Sequence, residues 1–225
     1  ARGTWAPILD TGSILHLGLS YVSYDARDSG SAPGATPVFD GDNRARWRVR
    51  PDADLTGTRL VDSGQFTDAD QNSTLGVEGA WVHGPIKLQA EYMKTNTSRE
   101  LHDDFDFDSW YVSGVWNITG ETWGYKDGVT TTPLPNAPTT GMWQVGVRYD
   151  HVDLNDGKLI TPTSIDGVLG GKEDNWTIGV NWYLRSNFKL AANYVKVSSE
   201  KYNTTSHVYV DDDPSILEFR AQFYW

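Results

Sequence analysis

The chain has 225 residues, with 30 Asp and Glu against 19 Lys and Arg, a formal net charge of -11 and no cysteine. That composition excludes a disulfide scaffold, a cysteine nucleophile and a thiolate metal site, and so acidic a balance argues against non-specific binding to nucleic acid. No run of about 18 apolar residues supplies a membrane-spanning helix, but strands that alternate apolar and polar residues would hide a lipid-facing surface from any average.

In chain order, Leu15, Leu17, Leu19 and Tyr21 alternate with His16, Gly18, Ser20 and Val22, which predicts a strand over 12–24. Arg44-Ala45-Arg46-Trp47-Arg48-Val49-Arg50 puts four guanidiniums on one face and Ala45, Trp47 and Val49 on the other, predicting a strand over 43–50. A strand over 58–66 follows mainly for parity, since Asp62 sits beside Leu60 on its more apolar face. Leu75, Val77, Gly79 and Trp81 mark 73–83, and across the His83-Gly84-Pro85 turn Ile86, Leu88, Ala90 and Tyr92 mark 86–95. Ser109 to Ile118 is apolar on both faces and predicts 108–118, while Trp143, Val145, Val147 and Tyr149 predict 142–151. Trp176 to Trp182 and Phe188 to Tyr194 predict a hairpin, 174–184 and 187–198, around Arg185-Ser186-Asn187. From Leu217 to Trp225 every odd position is apolar, giving a last strand over 214–225.

These make about ten antiparallel strands in an all-β chain. Long connections (25–42, 96–107, 152–173, 199–213) alternate with short ones (51–57, 84–85, 185–186), the asymmetry of an outer-membrane barrel with long extracellular loops and short periplasmic turns. Two connections depart from it: 67–72 is short for an outer loop, and 119–141 is long for a periplasmic turn, where an additional hairpin is the alternative. A soluble β-sandwich, of the kind that stacks sugars on exposed Trp and Tyr, alternates as well. Aromatics at the ends of the apolar faces (Tyr21, Trp81, Tyr92, Trp110, Trp143, Tyr149) and strands of 9–11 residues favour a transmembrane β-barrel instead.

Arg44, Arg46, Arg48 and Arg50 are spaced about 6.6–6.8 Å apart along such a strand. Near the mid-depth of lipid each would cost about 2–4 kcal/mol, so the row is expected to face the lumen. Charges so close require an anion, either acidic side chains or a permeating solute, and rows of arginine are a way to build an anion pore. Arg59 and Arg148 fall on polar faces too and complete the candidate anion-binding set; Lys87, Lys189 and Arg220 share such faces with Glu78, Glu91 and Glu218.

These motifs carry a resemblance: the arginine strand with Pro51 and Arg59-Leu60-Val61-Asp62-Ser63-Gly64, then Gly76-Val77-Glu78-Gly79-Ala80-Trp81-Val82-His83-Gly84-Pro85, Leu88-Gln89-Ala90-Glu91-Tyr92, Trp110-Tyr111-Val112-Ser113, Thr119-Gly120-Glu121 and Asn181-Trp182-Tyr183-Leu184. The chain resembles the carboxyl part of the phosphate-selective porins, the O/P family of Gram-negative outer membranes. The resemblance implies a homotrimer of barrels of about sixteen strands, of which residues 1–225 are the carboxyl-terminal part. It also implies passage of small anions, phosphate or polyphosphate, along the arginine row to a lysine-lined constriction in amino-terminal strands that would lie before Ala1. Phe223 and Trp225, on the last lipid-facing row, become the expected assembly signal. The alternative function is a general or sugar-permeable porin whose arginines are structural. No cofactor or metal is expected, and no enzyme: none of His16, His83, His102, His151 and His207 has a Ser or Asp partner by motif. The acidic runs Asp103 to Asp108 and Asp211 to Asp213 are expected to be solvated outer loops, with a divalent cation bridging to lipopolysaccharide as the rarer use.

Overall fold

Alternation separates two chemistries onto the two faces of each strand, and the sheet keeps them apart. The computed structural model describes residues 1–26, 43–52, 57–135, 139–185 and 187–223. Among them lie β1 (Arg2–Asp10), β2 (Ser13–Asp25), β3 (Ala45–Val49), β4 (Val61–Phe66), β5 (Ala69–His83), β6 (Ile86–Arg99), β7 (Phe105–Asn117), β8 (Gly124–Lys126), β9 (Val129–Thr131), β10 (Met142–Thr161), β11 (Ser164–Arg185), β12 (Phe188–Asn203), β13 (Val208–Asp212) and β14 (Ser215–Phe223), and no helix.

One sheet forms the wall, in the order β1-β2-β5-β6-β7-β10-β11-β12, and β13 and β14 both pair with β12. β14 covers Phe188 to Lys196 and β13 covers Ser199 to Asn203, so the two are one wall strand interrupted at Pro214, whose carbonyl still accepts from the Val197 amide at 3.0 Å. Every pair of neighbouring strands in the wall is antiparallel. Its outer face is apolar: Leu19, Val77, Leu88, Val112, Ile178 and Phe219 stay largely exposed. So large a continuous apolar face is stable against lipid and not against water. The inner face carries His16, Glu78, Lys87, Gln89 and Arg148. The sheet is the wall of an antiparallel transmembrane β-barrel.

Short turns at 11–12 and 84–85 and the Arg185–Phe188 pair lie at one end of the wall. At the other end β10 and β11 run on as a tall hairpin to Thr161 and Ser164, where a loop over 152–173 was expected, and β12 likewise continues to Asn203. The remaining segments add one strand and change several expectations. β1 escapes the alternation rule because Pro7 falls at a register shift between Trp5 and Ile8, which breaks the period of two. The expected strands 43–50 and 58–66 do form in part, but as β3 and β4 they pair with each other and not with the wall, since β2 pairs directly with β5. Their connection is therefore no periplasmic turn, and 67–72 is no outer loop but leads into β5. The long segment 119–141 does contain a hairpin, the small β8–β9 pair. Among the described residues β1 bonds to β2 and β14 to β12, and the two outermost strands do not pair with each other.

Candidate functional site

β3 and β4 belong to the excursion that leaves the wall after β2 at the long-loop end and returns at β5. Five residues are too few to cross a bilayer, so this hairpin has no lipid face to fill. Its apolar side instead covers the inner face of the wall. Ala45, Val61 and Phe66 are buried with Ala69 of β5, Phe105 of β7, Val152 and Leu154 of β10 and Val168 of β11, and Trp47 and Val49 pack against the same cluster. The Trp47 ring lies 5.0 Å from that of Phe107, and its Nε1 donates to Thr97 Oγ1 at 2.8 Å.

Ala45, Trp47 and Val49 thus face the wall from within, where a lipid-facing position was expected. The same period of two sends Arg44, Arg46, Arg48 and Arg50 to the opposite side, where all four are exposed to the lumen. The row has a direction. Asn43 accepts from the Ala69 amide at the long-loop rim, Trp47 sits at the level of Thr97, and Asp52 accepts from Thr177 Oγ1 at 2.9 Å well inside the wall. Arg44 is therefore at the mouth and Arg50 is deepest.

Arg59 joins the row: burial first, then the charges of Arg50 and Arg48, push its guanidinium below its ordinary pKa. Its Nε and Nη1 have no hydrogen-bond partner among the described residues. Arg46 alone of the row is held by a carboxylate there, Asp62, through Nε at 2.9 Å from Oδ1 and Nη2 at 2.5 Å from Oδ2. The hydrogen bond from Arg46 keeps the Asp62 carboxyl below the usual range against the opposing effect of burial, and the Gly64 amide adds to it.

Arg148 is brought near but differently. It lies on the wall, with Nε 2.6 Å from Asp150 Oδ1 and 3.6 Å from Asp52 Oδ2, and its guanidinium rests 3.9 Å from the Tyr111 ring centre. Two carboxylates therefore neutralise it, and it anchors the deep end of the hairpin. At the rim, Asp68 is 3% exposed and accepts from Arg99 Nη2 at 2.9 Å and His102 Nδ1 at 2.6 Å. Burial raises this carboxyl, and the bonds from His102 and Arg99 outweigh it, so its pKa stays low. Arg99 also lies 4.6 Å from the Phe66 ring centre, tying the rim to β4.

Alternation could not reveal a second inward segment, at the short-turn end. Trp123 is buried with Ile14 and Val82, and Tyr125 OH meets His16 Nδ1 at 2.8 Å. His16 Nε2 lies 3.2 Å from Glu78 Oε1, and Arg2 reaches both Glu78 and the Gly128 carbonyl, so β8–β9 is held over the inner wall. Of the expected assembly signal, Phe223 is exposed on the outer face and Trp225 lies outside the described residues. No grouping of three or more His, Asp or Glu with metal-binding geometry occurs among the described residues.

A lipid-facing antiparallel wall with a cationic hairpin turned into its lumen defines an outer-membrane porin. The family model for phosphate-selective porin O and P matches residues 1–225, and the chain belongs to that family, whose place is the outer membrane of Gram-negative bacteria. It is 29% identical to Porin O of Pseudomonas aeruginosa over 237 residues, 99% of this chain and 52% of that protein. It is also 29% identical to an uncharacterised protein of Caulobacter vibrioides over 157 residues, 68% of this chain and 30% of the other. The chain thus spans about half the length of Porin O and less of the Caulobacter protein. Among solved structures, OmpT of Vibrio cholerae aligns with all of this chain and 64% of its own at 15% identity and a TM-score of 0.44.

Proposed function

We propose that residues 1–225 form the carboxyl-terminal part of a single porin barrel of about sixteen strands, a homotrimer in the membrane, that conducts small anions of the phosphate class. The observation that carries this is the orientation of the row: Arg44, Arg46, Arg48 and Arg50 are exposed on the lumenal side of a hairpin whose other side is consumed by packing. Alternate positions about 6.6–6.8 Å apart let an oxyanion pass from one guanidinium to the next without a single deep trap. Arginine suits phosphate because its planar fork donates two parallel hydrogen bonds and keeps its charge at any relevant pH. The net charge of -11 does not oppose this, because the field inside a narrow lumen is set by its wall. Among the described residues the outer edges of β1 and β14 carry no partner strand, which supports pairing with further strands, since lipid forbids open edges.

Reconstituted full-length pores are expected to show a reversal potential in a KCl gradient that favours chloride, and added phosphate should reduce the chloride current. Changing Arg46 and Arg48 together to Glu should weaken or reverse that preference. Cation selectivity in the parent, or selectivity unmoved by the double change, would make the row structural and the pore a general one. The Arg46–Asp62 pair is the observation that favours this second reading, and it neutralises one arginine of the row.

A further inference from the structure

Asp62 stands inside the row of opposite charge, and its placement is built. The β3–β4 register pairs it with Arg48, yet its carboxylate serves Arg46. The ladder is irregular between Arg46 and Arg48, Gly64 takes a φ of 78° in the same stretch, and the Gly64 amide donates to Asp62 Oδ1 at 2.9 Å. Glycine adopts that backbone conformation without strain, and a β-bulge re-aims the side chains beside it. From the other side Lys201 Nζ donates to the Asp62 carbonyl at 2.9 Å. The Asp62 side chain is 12% exposed and that of Arg46 44%, so the carboxylate is fixed in the hairpin while the guanidinium it holds is open to the lumen. Arg44, Arg48 and Arg50 have no ion pair among the described residues.

We propose that Asp62 is a resident counter-anion of the arginine row, occupying Arg46 so that a passing oxyanion must compete for it and is released from the middle of the row. The inference rests on the row being the anion path. Four adjacent unpaired guanidiniums would hold a multivalent oxyanion tightly, and conduction needs sites weak enough to leave. Asp62 spends the fork of Arg46 on itself, and its negative charge lies one strand step from the anions held at Arg44 and Arg48. The row then reads as a binding site at the mouth, a weak step, and a second binding site deeper in. Asp62 is a positioning residue and touches the solute only by repulsion.

Charge arithmetic gives a test that a purely structural pair would fail. The measurement is the phosphate concentration that halves the chloride current, with blocked dwell times, in planar bilayers containing the full-length porin. Asp62→Asn frees Arg46 and is expected to lower that concentration at least about threefold, the effect of one charge about 6.7 Å away in a water-like medium, and to lengthen the dwell times. Asp62→Glu keeps the charge and should behave as the parent. Arg46→Gln leaves the carboxylate unopposed and should raise the half-blocking concentration, whereas Arg46→Gln with Asp62→Asn restores the net charge of the row and should return it near the parent value. An unchanged or higher half-blocking concentration in Asp62→Asn, or a double variant that does not compensate, overturns the inference while leaving a chloride-selective parent intact. A parent without chloride preference overturns the anion path itself.

Discussion

The indole of Trp47 donates to the hydroxyl of Thr97 at 2.8 Å, and so a residue between two lumenal arginines ties their strand to β6 of the wall. The bond fixes which way the hairpin faces, because rotating β3 by one residue would bury Arg46 against Phe107. Trp47→Ala removes the ring contact and the hydrogen bond together, a loss of about 2 kcal/mol of docking free energy. The expected result is faster proteolysis between 43 and 66 and weaker chloride preference, with unaltered heat resistance of the folded band on unboiled gels. Trp47→Phe should retain most of the selectivity. Protection from proteolysis equal to the parent in Trp47→Ala would show that other contacts suffice.

Acid should act on the row through Asp62. A carboxyl whose folded-state pKa is depressed stabilises the fold above its ordinary value, and that contribution disappears as pH falls through the depressed one. Asp62 is such a group, held down chiefly by Arg46. Protonation that frees Arg46 should therefore come only as the pH falls well below the ordinary carboxylate value of about 3.9. With sulfate as the blocking anion, the parent should approach the affinity of Asp62→Asn as the pH falls, and the difference between the two proteins should vanish. A difference that persists at the lowest attainable pH would separate the two residues functionally.

At the rim, Asp68 offers a stability test. It is buried and satisfies Arg99 and His102, so Asp68→Asn leaves the Arg99 guanidinium short of its charge partner at a cost of about 3 kcal/mol. The temperature at which the unboiled band converts to the slower form should drop clearly. Asp103→Asn, at an exposed neighbouring position, should stay within about 0.5 kcal/mol of the parent. Equal behaviour of the two variants would mean that the buried pair contributes nothing.

Insertion should depend on the last strand. Leu217, Phe219 and Phe223 form one exposed outer row on β14. A carboxylate there meets lipid or its interface and destabilises in a depth-dependent way. Phe223→Asp, and Trp225→Asp two residues further on in sequence, are expected to lower the amount of assembled porin while the pores that do form keep the parent conductance. Normal assembly of both would remove the terminal row as a signal.

The wall was legible because lipid enforces its pattern: β2, β5, β6, β10, β11, β12 and β14 alternate where they cross, and their faces came out as read. Above the membrane that constraint ends. Asn155, Asp156, Gly157, Asp166 and Gly167 are polar or small on both faces and look like loop, yet they continue the β10–β11 ladder. The arginine strand shows a different limit. Ala45, Trp47 and Val49 give the same alternation whether they meet lipid or the inside of the wall, so the lumenal side of the row was readable and its element was not. Asp62 on the apolar side of the next segment was the available sign that this hairpin does not cross lipid. β8 and β9, with three residues each, are too short to carry any period.

Among the described residues β3 and β4 exchange ladder bonds only with each other, and the wall closes behind them through β2 and β5. The hairpin is consequently an exchangeable cartridge in a fixed housing. Descendants can recharge, lengthen or replace what lies between those two wall strands without altering one lipid-facing side chain of the wall, so that the lining of the lumen and the surface facing lipid are written on separate stretches of the same gene.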